Sequence, residues 1–135
     1  MVAGSQARGA QIMAKILVVE DEAIVRLLVV ETLQNCGHTV LEAADGQTAM
    51  DLVQDFPDLD LIVTDIRLPK MDGFALAHSA RRLRPALGLV FLTGYVRAQP
   101  PEELSPSVVI RKPFDPDSLA RQVTAILDAS RAVSG

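Results

Sequence analysis

Three carboxylates, one hydroxyl and one amine stand where short apolar runs end. Glu20 and Asp21 follow KILVV at 15–19, Asp65 follows LDLIVT at 59–64, Thr93 closes LGLVFLT at 87–93, and Lys112 follows VVIR at 108–111. Taken singly, each has an ordinary explanation: an acidic residue after a strand is commonly a helix cap, and a lysine there is commonly a solvated charge. Taken together they suit one chemistry. Carboxylates brought close repel one another, which raises at least one carboxylate pKa and creates demand for a hard cation. Mg²⁺ prefers oxygen ligands, keeps several waters, and is held by one or two carboxylates plus phosphate oxygens. A carboxylate can accept a phosphoryl group as an acyl phosphate. Such a transfer asks the protein for positioning and charge neutralisation. Asp21 and Asp65 are the candidate direct ligands and Glu20 a ligand through water. Lys112 is a mobile point charge for the phosphoryl group, and Thr93 a hydroxyl donor.

For these residues to meet, the elements carrying them must lie side by side. Lys15–Val19 is a continuous apolar run with β-branched residues, the pattern of a strand buried on both faces. Glu22 to about Cys36 reads as a helix with Val25, Leu28, Val29, Leu33 and Cys36 inward, stopped by Gly37. His38–Ala43 is a second strand. Asp45 can cap a helix that presents Ala49, Leu52, Val53 and Phe56 and ends before Pro57. Leu59–Thr64 is a third strand. Asp72 can cap a helix over about 74–83, and Leu87–Thr93 is a fourth strand. Pro100 and Pro101 allow only a short or broken helix within 96–107. Val108–Arg111 is a fifth strand, and Asp115-Pro116 opens a last helix with Leu119, Val123, Ile126 and Leu127 inward. Strands alternating with helices imply an α/β fold, with a parallel sheet covered on both faces. Right-handed crossovers leave few topologies. The flavodoxin-like doubly wound order 2-1-3-4-5 places a switch point between strands 1 and 3, with ligands beyond the carboxyl ends of the strands. All five chemical residues would line that crevice.

Composition excludes other classes. The chain has 135 residues, 49% hydrophobic and 22% charged, with a net charge of −4, which suits one soluble domain. There is no basic run, so direct nucleic-acid binding is not expected. No apolar stretch reaches the length of a membrane span, and the first residues lack a signal-peptide core, so a cytoplasmic location and no membrane partner are expected. The lone Cys36 excludes an internal disulfide and reads as a small core residue. His38 and His78 have no second histidine at relay spacing and read as structural or exposed. Residues 1–14 read as a flexible tail and 15–132 as the domain. Met13, directly before the first strand, is a candidate natural start; a short native extension is the alternative.

Four segments carry a family resemblance: KILVVEDE at 15–22, VTDIRLPKMDG at 63–73, FLTGY at 91–95 and RKPF at 111–114. In this order and spacing they resemble the receiver domain of bacterial two-component response regulators, over about Lys15 to Ala132, and in particular its single-domain, chemotaxis-regulator-like members. The resemblance implies that Asp65 takes a phosphoryl group from a histidine of a sensor kinase or phosphotransfer protein. It implies Mg²⁺ on Asp21, Asp65 and the main-chain carbonyl of Arg67, with Glu20 completing the acidic pocket. Thr93 would be the switch hydroxyl and Lys112 the phosphate partner, with a cis Lys112–Pro113 bond. Output would be a protein contact with an unknown downstream partner, since no output domain is expected after Ala132; homodimerisation on phosphorylation also fits.

Two positions depart from the family pattern. Val109 stands where many receivers carry a strand-5 aromatic, leaving Tyr95 as the substitute switch or as a static loop aromatic. The proline-broken 96–107 is shorter than the usual fourth helix. Bulk at Arg67 and Tyr95 is expected to slow water attack on the acyl phosphate. On the first helix Ile24, Leu27 and Val30 lie off the main stripe, either as partly buried residues or as a kinase docking surface. A Mg²⁺-dependent aspartyl-phosphate phosphatase or phosphotransferase is the rival reading. It calls for a further acid–base residue near the nucleophile, where Arg67 stands, and a substrate cap. A flavodoxin-like nucleotide binder would need a phosphate loop after strand 1, where Glu20-Asp21-Glu22 would repel phosphate.

Overall fold

The computed structural model describes residues 13–94 and 99–134. Five strands, β1 (Lys15–Val19), β2 (Thr39–Ala43), β3 (Leu61–Asp65), β4 (Gly88–Thr93) and β5 (Val108–Arg111), form one sheet. Among the described residues four α-helices connect and cover them: α1 (Ala23–Asn35), α2 (Gly46–Asp55), α3 (Gly73–Leu83) and α4 (Pro116–Ser134). Every strand pair is parallel, and the order is β2-β1-β3-β4-β5. The topology is the doubly wound one that the alternation of elements implies.

Side-chain alternation along the strands divides the core into two layers. Ile16 and Val18 of β1, Leu61 and Val63 of β3, and Val90 and Leu92 of β4 pack with α1 and α4. Leu17 and Val19, Ile62, and Leu89 and Phe91 face the other way, toward α2 and α3. β3 and β4 are buried along their full length, while the edge strand β2 has a half-exposed pattern. Central strands need apolar residues on both faces, and these runs have them.

Helix starts follow their caps. Asp45 accepts from the Thr48 N–H at 2.7 Å, and Asp72 from the Ala75 N–H at 2.9 Å. The junction before α4 has the same form, with Asp115 accepting from Ser118 N–H. At α1 the capping position is Glu22, whose side chain makes no cap bond.

The boundaries differ from the sequence reading in small ways. β2 begins at Thr39, β3 runs over Leu61–Asp65 and β4 begins at Gly88. Ala14 belongs to the fold rather than to the tail: it is 4% exposed, and its N–H donates to His38 Nδ1 at 3.0 Å. His38 is therefore structural, and buried. Cys36 is half-buried. On α1 the buried arc is Val29, Val30 and Leu33. Leu28, expected inward, is 41% exposed; Val30, placed off the main stripe, is 5% exposed. α1 carries apolar residues around most of its circumference, so periodicity alone misplaces the buried arc by a fraction of a turn. The segment of Pro100 and Pro101 contains one 3₁₀ turn, Glu102–Leu104, as two prolines permit. Tyr95 and the rest of 95–98 lie outside the described residues, as does the tail through residue 12.

Candidate functional site

The carboxyl ends of β1, β3, β4 and β5 open on one edge of the sheet. Parallel pairing sets Val19 beside Thr64, Asp65 beside Leu92, and Thr93 beside Arg111. Glu20-Asp21, Asp65, Thr93 and Lys112 therefore leave four neighbouring strands at nearly the same height. One carboxylate oxygen from each of Glu20, Asp21 and Asp65 lies within 4.8 Å of the others. Lys112 Nζ reaches in from β5, 2.7 Å from Glu20 Oε1 and 2.8 Å from Asp65 Oδ2. Thr93 is 1% exposed at the end of β4, and its carbonyl accepts from the Lys112 N–H at 2.8 Å. The Lys112–Pro113 bond is cis.

Glu20 is fully buried, and both its carboxylate oxygens have donors: Lys112 Nζ on Oε1 and the Glu22 N–H at 3.0 Å on Oε2. Its pKa is raised, chiefly by burial, with the Asp65 charge a lesser cause. A raised carboxylate is what the sequence implies, but desolvation rather than mutual repulsion is the main reason. The pKa of Lys112 is raised as well, for a different reason. Burial alone would lower its pKa, yet the hydrogen bonds to Asp65 and Glu20 outweigh that and raise it. Lys112 thus stays charged between two carboxylates.

The loop from β3 to α3 is set by close main-chain approaches. The Gly73 N–H donates to Ile66 O at 2.7 Å, and a Cβ on Gly73 would stand 2.3 Å from Asp65 O. A Cβ on Gly46 would stand 2.3 Å from Met71 O. Both glycines are required where α3 and α2 start against this loop. Thr64 Oγ1 donates to Asp65 O at 2.8 Å from within the core. The backbone that presents Asp65 is held from both sides.

A model of the response regulator receiver domain matches residues 16–124. The chain belongs to this family. It is 33% identical to the response regulator receiver protein CpdR of Brucella abortus over 121 residues, covering 87% of this chain and 100% of that protein. It is 34% identical over 119 residues to the sensor kinase CckA of the same organism, covering 85% of this chain but only 13% of that kinase. Among solved structures, the chemotaxis response regulator CheY4 of Vibrio cholerae superposes with a TM-score of 0.78 at 29% identity, covering 85% of this chain and 99% of that one. As a receiver domain the chain is a phosphorylation-controlled switch of two-component signalling.

The donor chemistry of the receiver's acidic group fits a cation. Its ligand atoms are all oxygen, and three carboxylates meet one ammonium. Burial raises the pKa of Glu20, the innermost of the three. A hard divalent cation satisfies such a set.

Sequence reasoning missed one contact of this receiver site. Arg26, one turn into α1, donates from Nη1 to the Glu20 main-chain carbonyl at 2.7 Å and from Nε to Glu42 Oε1 of β2 at 3.1 Å. Side-chain bonds to carbonyls leave no periodic trace in a sequence. The only signal is a charged residue among the apolar ones of AIVRLLVV.

Proposed function

We propose that residues 15–132 are a receiver domain that accepts a phosphoryl group on Asp65 from a phosphohistidine of a sensor kinase or phosphotransfer protein. Mg²⁺ would be held by Asp21, Asp65 and the main-chain carbonyl of Arg67. Glu20 would act through water, because protein donors already take both its oxygens. The observation that carries this reading is the meeting of three carboxylates and Lys112 at one sheet edge.

A carboxylate oxygen of Asp65 attacks phosphorus in line with the departing imidazole nitrogen. The P–N bond breaks, a P–O bond forms, and the histidine leaves as neutral imidazole, its other ring nitrogen having taken a proton from solvent. Mg²⁺ held by Asp21, Asp65 and the Arg67 carbonyl would supply positive charge against the phosphoryl oxygens. Lys112 exchanges its Asp65 partner for a phosphoryl oxygen, and the Thr93 hydroxyl donates to another. Water later hydrolyses the acyl phosphate, so the domain resets itself without turning over a metabolite.

Ile24, Leu27 and Leu28 of α1 are 84%, 55% and 41% exposed. Beside them runs a groove of about 320 Å³ lined by Val25, Leu28, Lys112, Pro113 and Phe114. An apolar surface ending at Lys112 suits the docking of a phosphohistidine-bearing partner. Leu28, not Val30, completes the surface that the sequence placed on Ile24, Leu27 and Val30. No helix among the described residues is long and apolar enough to cross a membrane. The signal would leave through an unknown downstream protein or homodimerisation on phosphorylation.

Borohydride reduction of the phosphorylated chain followed by peptide mapping tests the acceptor. An acyl phosphate on Asp65 becomes homoserine at position 65. Homoserine at another acidic position would overturn the assignment.

A further inference from the structure

We propose that Arg26 is a positioning residue for the cation site, acting through the main chain of Glu20 to aim Asp21. This rests on the reading of Glu20, Asp21 and Asp65 as that site.

Among the described residues, no hydrogen bond or ion pair holds the Asp21 carboxylate, although its oxygen lies in the acidic cluster. Its direction is set by the peptide plane joining residues 20 and 21. Both peptide planes flanking Glu20 are fixed. The Glu20 N–H donates to Ala43 O at 3.1 Å, across to β2. The Glu20 carbonyl accepts from Arg26 Nη1 at 2.7 Å. That carbonyl oxygen belongs to the peptide unit whose nitrogen is Asp21's, so the guanidinium fixes the plane from which Asp21 projects.

The guanidinium is itself anchored. Its Nε bonds Glu42 Oε1 at 3.1 Å, and its side chain is 22% exposed. Glu42 is outside the acidic cluster, 55% exposed on the edge strand. Two donors in a rigid fork therefore join α1, the end of β1, and β2. A lysine could hold one of these acceptors but has no second donor in a fixed direction. Among the described residues Glu22 makes no side-chain cap on α1. Arg26 is thus a second tie between α1 and the loop that carries the acidic pair.

Positioning and simple electrostatics predict opposite signs. Arg26 is a positive charge near a cation site, so on charge alone its removal would strengthen cation binding. If Arg26 aims Asp21, its removal weakens binding, as the loss of an outer partner of a metal site does.

Mn²⁺ is a suitable probe, read by electron paramagnetic resonance as the free ion disappears. The whole chain is titrated well below its melting temperature, with circular dichroism confirming the fold. Arg26→Gln should weaken Mn²⁺ binding roughly tenfold. Arg26→Lys, which keeps the charge, should recover only part of that loss. Glu42→Gln leaves the buried residues intact and should weaken binding about 2- to 3-fold, by loosening the anchor. With acetyl phosphate as donor, Arg26→Gln should raise the Mg²⁺ concentration for half-maximal phosphorylation and leave the saturated rate within about twofold. Unchanged or tighter Mn²⁺ binding in both Arg26→Gln and Glu42→Gln overturns the proposal. Asp21→Asn separates the two levels. If Asp21→Asn loses Mn²⁺ while the Arg26 and Glu42 variants do not, positioning fails and the cation site stands. If Asp21→Asn binds Mn²⁺ as the parent does, the cation reading fails and the positioning role fails with it.

Discussion

Two connections leave the sheet beside Asp65, and they are held in different ways. The β3–α3 loop is fixed by its main chain. Gly73 N–H meets Ile66 O, Gly46 N–H meets Pro69 O at 3.3 Å, and Met71 N–H meets Pro69 O at 2.8 Å. Lys70 takes a positive φ of 71°, an uncommon conformation for a residue with a side chain. The described part of the β4–β5 connection is fixed by two side chains. Leu104 is 1% exposed and packs in the layer of Phe91 and Leu76. Arg81 of α3 donates to Ser105 O at 3.2 Å and Pro106 O at 3.1 Å, with its Nε on Leu87 O before β4 at 3.1 Å. The first loop would supply a main-chain ligand from Arg67, and backbone contacts leave it little freedom. The described part of the second is tied to the body of the domain chiefly through side chains, and a segment held that way can change position at lower cost.

Substitutions that break each restraint should separate the two. Gly73→Ala is the most damaging, because its Cβ would meet Asp65 O and Ile66 Cα and only a backbone shift relieves that. A loss of about 3 kcal/mol or more is expected in urea unfolding, with weakened phosphorylation. Leu104→Ala should cost about 2–3 kcal/mol, toward the low side for a buried leucine because the flanking turn can settle into the space. Phosphorylation of the folded protein should survive it. Arg81→Ala should cost about 1–2 kcal/mol. Amide exchange should speed up at 102–105 and 107 and stay unchanged at 66–73. Equal acceleration in both loops would erase the distinction.

The smallest effect is one of pH. The Thr48 N–H, followed by the other contacts at the start of α2, holds the Asp45 carboxyl below its usual range. A carboxyl with a lowered folded pKa adds stability above the unfolded value and loses it as pH falls through the folded one. Asp45→Ala should therefore destabilise the protein at neutral pH, and the gap from the parent should close on acidification. A gap that stays constant from pH 7 to about pH 2 would show that the cap acts without its charge.

The strand order and the meeting of Glu20, Asp21, Asp65, Thr93 and Lys112 at one edge were legible because they follow from apolar runs ending in polar residues, a pattern that parallel pairing converts into geometry. The Asp45, Asp72 and Asp115 caps were legible from short-range chemistry. What lies between elements was not. Asp72-Gly73 reads as a loop signal, but the reason for glycine, the carbonyl of Asp65, exists only once α3 folds back on β3. Arg26 and Arg81 act on carbonyls distant in sequence, and no spacing announces that. Val30 and Leu28 exchanged places because α1 is apolar on nearly every side.

The central claim is that Asp65 carries the phosphate with a cation held beside it. Intact mass after incubation with acetyl phosphate or phosphoramidate tests it most directly, with Mg²⁺ and with the metal chelated. One phosphoryl adduct is expected with Mg²⁺, lost on chelation and absent from Asp65→Asn. The same adduct on Asp65→Asn, or undiminished without metal, would contradict it.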